Sequence, residues 1–123
     1  MSVSREAEAF AIDLFAGLGP IRIKRMFGAA LAYAGEFNFA LLDDESTWIK
    51  VDESVEAAFF EAGSPRFTYV MKDGRQIEMD YRGLPETAMD DPDEALSWAR
   101  LGVEAGMRAA AKKAAKPKKK AKA

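Results

Sequence analysis

The sequence predicts an α+β domain in which helices cover one face of an antiparallel sheet. Amphipathic helical patterns occur near both ends of the chain and once in the middle, and segments rich in strand-forming residues lie between them. Three helices are too few to cover both faces of such a sheet. The predicted order is helix, three strands, helix, two strands, helix, arranged as a two-layer sandwich.

The first helix is predicted from apolar residues that recur at three- and four-residue spacing. Ser2 or Ser4 can cap its start, and Gly17 followed by Gly19-Pro20 ends it. We expect this helix to face the sheet through Val3, Ala7, Phe10, Ala11, Leu14 and Leu18.

A change to period-two patterning predicts strands near residues 29–34, 36–42 and 47–51. Turn-forming glycine and acidic residues separate these segments. Residues 21–27 are either a lead-in strand or the first half of a bent strand.

A short second helix is predicted between Asp52, which can serve as its N-cap, and Gly63, which suits a left-handed C-terminal position before Pro65. Its buried stripe is predicted to consist of Val55, Ala58, Phe59 and Ala62.

The next two strand-forming segments are predicted to pair as a hairpin around Asp73 and Gly74. An Asp-Gly pair is typical of a two-residue loop, but that register places Tyr69 opposite Glu78. A three-residue loop ending at Gly74 places Tyr69 opposite Ile77 and gathers the large apolar side chains on one face. We therefore predict a positive φ at Gly74. The residues expected to share the helix-covered face are Phe67, Tyr69, Met71, Ile77 and Met79.

The last helix is predicted to begin after Asp91, with Pro92 in its first turn and Glu94 completing a capping box. We expect it to fray between Met107 and Lys113. Its inner face is predicted to consist of Ala95, Leu96, Ala99, Val103 and Met107, flanked by Trp98 and Leu101.

The composition excludes several classes of function. The 123 residues include no cysteine and no histidine, which removes disulfides, thiol nucleophiles, the commonest metal ligand and the usual general base. No apolar run approaches the roughly 20 residues that span a bilayer, and no signal-peptide pattern occurs near the N-terminus. We expect a cytoplasmic protein that is not an enzyme, needs no cofactor and binds no membrane.

A basic tail follows an acidic body. Residues 112–123 contain only Ala, Lys and Pro, so we predict a domain over residues 1–111 and a disordered tail after it. Without the seven tail lysines the chain has 11 basic and 20 acidic side chains, a net charge of −9. The tail either keeps the protein soluble or binds nucleic acid weakly and without sequence preference. The tail lysines are Lys112, Lys113, Lys116, Lys118, Lys119, Lys120 and Lys122.

The acidic body contains one basic cluster, formed by Arg22, Lys24 and Arg25, which Lys50 can join. In an extended segment Arg22 and Lys24 share one face, and Arg25 points to the other. These four residues are candidates for holding a phosphate or the carboxylate of a partner. The alternative, which we favour, is that they pair with acids of the same chain.

Two other groups have competing interpretations. The acidic residues Asp90, Asp91, Asp93 and Glu94 suggest a hard cation site, but helix capping explains them better. Several aromatic residues suggest base stacking from an open sheet face, although burial beneath the helices is favoured. These residues are Phe37, Phe39, Trp48, Tyr69 and Tyr81.

The chain contains an ordered series of short motifs. They are Leu18-Gly19-Pro20, Arg22-Ile23-Lys24-Arg25-Met26-Phe27-Gly28, Tyr33-Ala34-Gly35, Phe39-Ala40-Leu41, Ile49-Lys50-Val51-Asp52, Phe67-Thr68-Tyr69, Met79-Asp80-Tyr81-Arg82-Gly83-Leu84-Pro85, Asp90-Asp91-Pro92 and Trp98-Ala99-Arg100. This series resembles the N-terminal domain of the TfoX/Sxy family, bacterial proteins named for regulating competence. The resemblance runs from about Phe10 to about Arg108, and Ala29 stands where the family usually has a second glycine after Met-Phe-Gly.

The resemblance implies a helix-capped antiparallel sheet like that of secretion chaperones, and it brings no catalytic residues with it. We therefore expect a non-enzymatic regulatory or adaptor domain that binds a protein partner or associates with itself, for example as a homodimer. The alternative is a nucleic-acid-associated regulatory protein that uses its lysine-rich tail.

Overall fold

The chain forms a two-layer α+β fold, as predicted. The structure, a computed structural model, describes residues 4–26, 29–43 and 46–115. Its strands are β1 (Ile21–Met26), β2 (Ala29–Ala34), β3 (Phe37–Leu42), β4 (Thr47–Lys50), β5 (Arg66–Val70) and β6 (Gln76–Gly83). Its helices are α1 (Arg5–Leu14), α2 (Glu56–Glu61) and α3 (Pro92–Ala115), and 3-10 turns occur at Ala16–Leu18 and Glu86–Ala88.

The six strands form one antiparallel sheet in the order β1-β2-β3-β4-β6-β5. Residues 21–26 are a separate strand, so four strands precede α2. This resolves the alternative left open by the sequence in favour of the lead-in strand. It also places β1 and β5 at the two edges of the sheet.

Helix α1 begins where its cap predicts. The backbone N–H of Ala7 donates to the Ser4 hydroxyl at 3.0 Å, which satisfies one of the free donors at the helix start. The predicted stripe is right for Ala11 and Leu14, which are buried, but wrong for Phe10, which is 46% exposed.

Phe15 takes the place expected for Phe10 in the core. It follows the last turn of α1 and is fully buried, with its ring edge-on to Phe39 at a centroid distance of 5.2 Å. The chain leaves the helix at this point, so helical spacing could not place Phe15 on the buried side.

Helix α2 is shorter than predicted and begins four residues after Asp52, after a turn closed by the Asp52 carbonyl. Val55 and Phe59 are buried as expected, whereas Ala58 and Ala62 are exposed. The buried Phe59 packs against Trp98 of α3 at a ring-centroid distance of 4.6 Å.

Helix α3 is capped by Asp91, whose carboxylate accepts from the N–H groups of Asp93 and Glu94, each at 3.2 Å. The predicted capping box is only half present. The Glu94 carboxylate accepts instead from the Thr87 hydroxyl at 2.8 Å and from the Trp98 indole at 3.2 Å. Glu94 therefore ties the preceding loop to the helix.

The inner face of α3 is formed by small residues, and the prediction of a large apolar stripe is wrong for Met107, which is 48% exposed. Leu96 and Val103 are only half-buried. A Cβ added at Gly106 would lie 2.3 Å from the carbonyl oxygen of Asn38. The buried residues of the helix are Ala95, Ala99, Gly102, Ala105 and Gly106.

Helix α3 continues to Ala115, slightly beyond the predicted fraying region, so it includes Lys112 and Lys113. The remaining tail lysines lie outside the described residues, where the prediction of disorder stays a prediction. No helix in the described part of the chain is long and apolar enough to cross a membrane.

The two faces of the sheet differ in what covers them. Ile49 of β4 faces α3, since a Cβ added at Gly102 would lie 2.7 Å from its side chain. Side chains alternate along a strand, so Trp48 and Lys50 point to the opposite face, which no described helix covers. We call this second face the open face.

The hairpin has the predicted three-residue loop. The N–H of Met71 donates to the carbonyl of Arg75 at 2.8 Å, Tyr69 pairs with Ile77, and Gly74 has a φ of 92°. The register and the left-handed glycine are therefore confirmed.

The prediction that the apolar face of the hairpin is covered by helices is wrong. Its residues lie on the open face, where Tyr69, Ile77 and Met79 are exposed and Phe67 packs edge-on against Trp48 at 5.0 Å. Charged residues occupy the other face of the hairpin. Arg66 and Arg82 bind Glu56 of α2, and Glu78 and Asp80 pair with Arg66.

Replacing Gly74 with valine is expected to destabilise the domain by about 1–2 kcal/mol, because a β-branched residue is strained at positive φ. A Cβ there would meet nothing within 4 Å, so the cost comes from the backbone alone. Urea denaturation measures it. Asp73→Ser at the neighbouring position is the control and should cost far less, and equal losses for both variants would contradict the argument.

Candidate functional site

The basic cluster of β1 is divided between the two faces of the sheet, as its spacing predicts. Arg25 lies on the helix side and forms an ion pair with Glu8 of α1 at 2.8 Å. Arg22 and Lys24 lie on the open face and are exposed. The expected pairing with acids of the same chain thus holds for Arg25. No described carboxylate lies within ion-pair distance of Arg22 or Lys24.

Each end of the open face holds a cation over a tyrosine ring. The Arg22 guanidinium lies 4.3 Å from the centre of the Tyr33 ring, which is its direct neighbour on β2. The Lys50 ammonium lies 5.3 Å from the centre of the Tyr81 ring, its neighbour on β6. Cation–π attraction of this kind is worth about 0.5–1 kcal/mol at exposed sites, so the exposed Arg22 can leave the Tyr33 ring at small cost.

Tyr81 is the buried anchor of this surface. Burial first, and then the nearby Tyr33 and Asp80, raise the pKa of Tyr81 to about 12. The phenol therefore stays neutral in the physiological range, and its hydroxyl donates to the side-chain oxygen of Asn38 on β3. Asn38 in turn donates to the carbonyls of Ala32 and Ala40 at 3.0 and 2.9 Å, which fixes its orientation.

The aromatic residues singled out by the sequence lie on both faces. Phe39 is fully buried beneath the helices, and Phe37 lies on the same side next to Gly106 of α3. Trp48, Tyr69 and Tyr81 lie on the open face. Burial under the helices, the favoured interpretation, is therefore wrong for these three residues.

The acidic segment before α3 is used for capping. Asp91 holds the helix start, and Glu94 is bonded to Thr87 and Trp98. Among the described residues, no group of three or more acidic side chains is arranged to hold a metal ion.

The two edge strands differ in how strongly their side chains oppose pairing with a strand of another chain. Edge β1 carries Arg22, Lys24 and Arg25, and charged side chains on an edge oppose pairing with another strand. Edge β5 has one charged residue, Arg66, and it is followed by Phe67-Thr68-Tyr69-Val70. The outer edge of β5 pairs with no described strand, so its free backbone groups are open to another chain.

The end of α3 brings the start of the lysine tail close to the open face. Lys112 and Lys113 line a cleft of about 440 Å³ together with Lys50. Asp52, in the same cleft, accepts from Arg108 at 2.7 and 3.1 Å. This pairing lowers the pKa of Asp52 through the hydrogen bond and charge of Arg108.

A family model of the TfoX N-terminal domain matches residues 13–106. This segment includes all six strands and most of the core that lies between the sheet and the helices. The chain belongs to the TfoX N-terminal domain family. The motifs quoted from the sequence fall within this matched segment, and the resemblance they suggested is confirmed. No curated protein shows significant sequence similarity to this TfoX N-terminal domain.

Two residues of the open face were missed by reading the sequence of this TfoX N-terminal domain. Tyr33 was named only within the Tyr33-Ala34-Gly35 motif, and Asn38 was not singled out. The position of Tyr33 two residues after Leu31 could have shown that the two side chains share a face, because side chains alternate along a strand. Asn38 had no local signal, because its role depends on a hydrogen bond from Tyr81, 43 positions away.

Proposed function

We propose that this TfoX N-terminal domain is a cytoplasmic, non-enzymatic regulatory domain that binds another protein chain through the β5 edge. The occupant is either a partner protein or a second copy of the chain. Membership of the TfoX N-terminal domain family supports a regulatory role, and the chemistry available to a chain without histidine or cysteine favours binding over catalysis.

The exposed hairpin is the observation that carries this proposal. Val70 is 58% exposed, Tyr69 46% and Ile77 41%, although all three are of the residue types that strands usually bury. Exposed apolar groups next to an unprotected strand edge are typical of β-augmentation, in which main-chain hydrogen bonds give affinity and alternate side chains give specificity.

A second copy can also occupy this edge. If two β5 strands pair antiparallel about a two-fold axis at Thr68, each Phe67 faces Tyr69 of the other copy, and each Arg66 faces a Val70. Aromatic cross-strand pairs stabilise such a sheet, and no like charges oppose each other. The five residues of β5 are thus compatible with self-pairing.

Replacing Val70 with lysine tests the proposal, because a charge on an edge strand opposes the addition of a further strand. We expect the variant to lose captured partner proteins in affinity purification from the native cytoplasm, or to lose concentration-dependent dimerisation in sedimentation equilibrium, by about tenfold in affinity.

Met107→Lys is the matched control, since it also replaces an exposed apolar residue with lysine but lies on α3. This variant should behave like the wild type in both measurements. If Val70→Lys also retains every partner and the same oligomeric state, the β5 edge is not the binding surface.

A second candidate function is association with nucleic acid through the lysine tail, supported by the position of Lys112 and Lys113 beside Lys50. Lysines contact phosphates, so this affinity should fall steeply with salt and show little sequence preference. Replacing the seven tail lysines with glutamine should abolish it. Binding that survives this change would involve Arg22 or Lys24, because Arg25 lies on the helix side and pairs with Glu8.

A further inference from the structure

One row of side chains crosses the open face from β1 to β6. It consists of Arg22, Tyr33, Asn38, Lys50 and Tyr81, which we call the polar-aromatic row. Strand pairing places Arg22 beside Tyr33, Tyr33 beside Asn38 and Lys50 beside Tyr81. The row crosses five strands, so it is about 19 Å long at the usual strand spacing.

The open face has more cations than acids, although the rest of the domain is acidic. Asp43, whose carboxylate accepts from the Trp48 indole at 3.3 Å, is a described acid that reaches this face. The strands contain two acidic residues, Glu78 and Asp80, and both point to the helix side, where they bind Arg66. The open face carries Arg22, Lys24 and Lys50, and no described carboxylate forms an ion pair with any of them. This charge favours an anionic occupant.

The face is also unusually aromatic. The chain has three tyrosines, and all of them, Tyr33, Tyr69 and Tyr81, lie on the open face together with Trp48 and Phe67. An occupant that suits this face brings both negative charge and flat rings.

We propose that the polar-aromatic row binds single-stranded nucleic acid. Each nucleotide supplies a phosphate and a base, which match the two components of the pair formed by Arg22 and Tyr33. The guanidinium moves from the ring to a phosphate, and the ring then stacks on a base. Lys50 supplies a second cation further along the row, above the buried Tyr81 ring, and Lys112 lies beyond it in a cleft that Asp52 and Asp80 also line.

Other occupants fit the face less well. A second copy on this face would bring the same three cations, Arg22, Lys24 and Lys50, toward each other. An acidic peptide supplies carboxylates for the cations but no flat group for each ring. Duplex DNA keeps its bases stacked inside, so the tyrosine rings gain nothing from it.

The test is fluorescence anisotropy of an end-labelled 12-nucleotide oligothymidylate with the full chain at several salt concentrations. We expect Arg22→Gln to weaken binding several-fold and to reduce the salt slope by about one. Tyr33→Leu should weaken binding about tenfold without changing the salt slope, whereas Tyr33→Phe, which keeps the ring, should bind like the wild type.

Arg25→Gln is the matched control, because it removes the same charge from the same strand on the opposite face. The proposal is overturned if Arg25→Gln and Arg22→Gln reduce the salt slope equally, or if Tyr33→Leu binds like the wild type.

The tail and the other occupants are tested with the same probe. In a full chain whose lysines after Ala115 are replaced by glutamine, the loss caused by Tyr33→Leu should persist. Abolition of all binding in that chain means that the tail alone binds, and it overturns the proposal. Equal binding of a duplex, or equal competition by a glutamate-tyrosine copolymer, overturns it as well. None of these outcomes bears on protein binding at the β5 edge, which Val70→Lys tests separately.

Discussion

Gly106→Ala is expected to destabilise the domain by about 3 kcal/mol, although alanine is the better helix former by about 1 kcal/mol. The added Cβ would lie 2.3 Å from the carbonyl oxygen of Asn38, which belongs to the backbone of β3 and cannot rotate away. Helix α3 would have to shift away from the strand and loosen the contacts of the whole layer. Urea denaturation followed by circular dichroism measures the effect.

Ala110→Gly on the exposed side of α3 is the control for helix propensity. It should cost about 1 kcal/mol, which gives the size of the glycine effect in this helix. If Gly106→Ala instead stabilises the domain by a similar amount, α3 does not approach β3 as closely as the structure shows.

The inner face of α3 shows what the sequence could and could not predict. The helix, its cap at Asp91 and its general orientation were predictable from local patterns. The assignment of Met107 to the core failed because large apolar residues were assumed to face inward. In the fold, the short distance between α3 and β3 determines which residues can face inward. Gly102 and Gly106 allow this close approach because neither has a Cβ.

The hairpin also shows which features local sequence patterns could predict and which they could not. Alternation and loop length predicted which residues share a face, and the pairing of Tyr69 with Ile77 confirms them. The sequence of the hairpin does not say which side the helices occupy. In the fold, Glu56 of α2 binds Arg66 and Arg82, so the charged face of the hairpin lies toward the helices.

The open face was therefore predictable only in part, as short groups of residues on one strand or hairpin that share a face. Arg22 and Lys24 were expected to share a face, and they do. Arg22 lies beside Tyr33, and Lys50 beside Tyr81, because of the strand order and register of the sheet, which local sequence spacing does not show.

Glu56 holds together two arginines that would otherwise repel each other. Arg66 and Arg82 are directly opposite on neighbouring strands, where like charges are destabilising. The Glu56 carboxylate accepts from Arg82 at 3.0 Å and from Arg66, and Arg82 also donates to the carbonyl of Ser64 at 2.8 Å. Burial alone would raise the pKa of Glu56, but the hydrogen bonds and charges of the two arginines outweigh it and lower the pKa below 4.5.

Glu56→Gln should therefore destabilise the domain by about 2 kcal/mol at neutral pH, less than the 3–5 kcal/mol typical of a fully buried pair because the site is partly exposed. Asp73→Asn, which breaks the exposed ion pair with Arg75, is the control and should cost less than about 0.5 kcal/mol. The free energies of unfolding come from urea denaturation of both variants and the wild type.

The effect of Glu56→Gln should depend on pH with a defined sign. Because the folded-state pKa of Glu56 is lowered, its contribution is complete above the ordinary value of 4.5 and is lost as the pH falls through the folded-state value. The wild type and Glu56→Gln should therefore differ in stability at neutral pH and converge in acid. A difference that stays constant down to the acid transition would show that Glu56 acts through its shape and packing, with its charge contributing nothing to the opposed arginines.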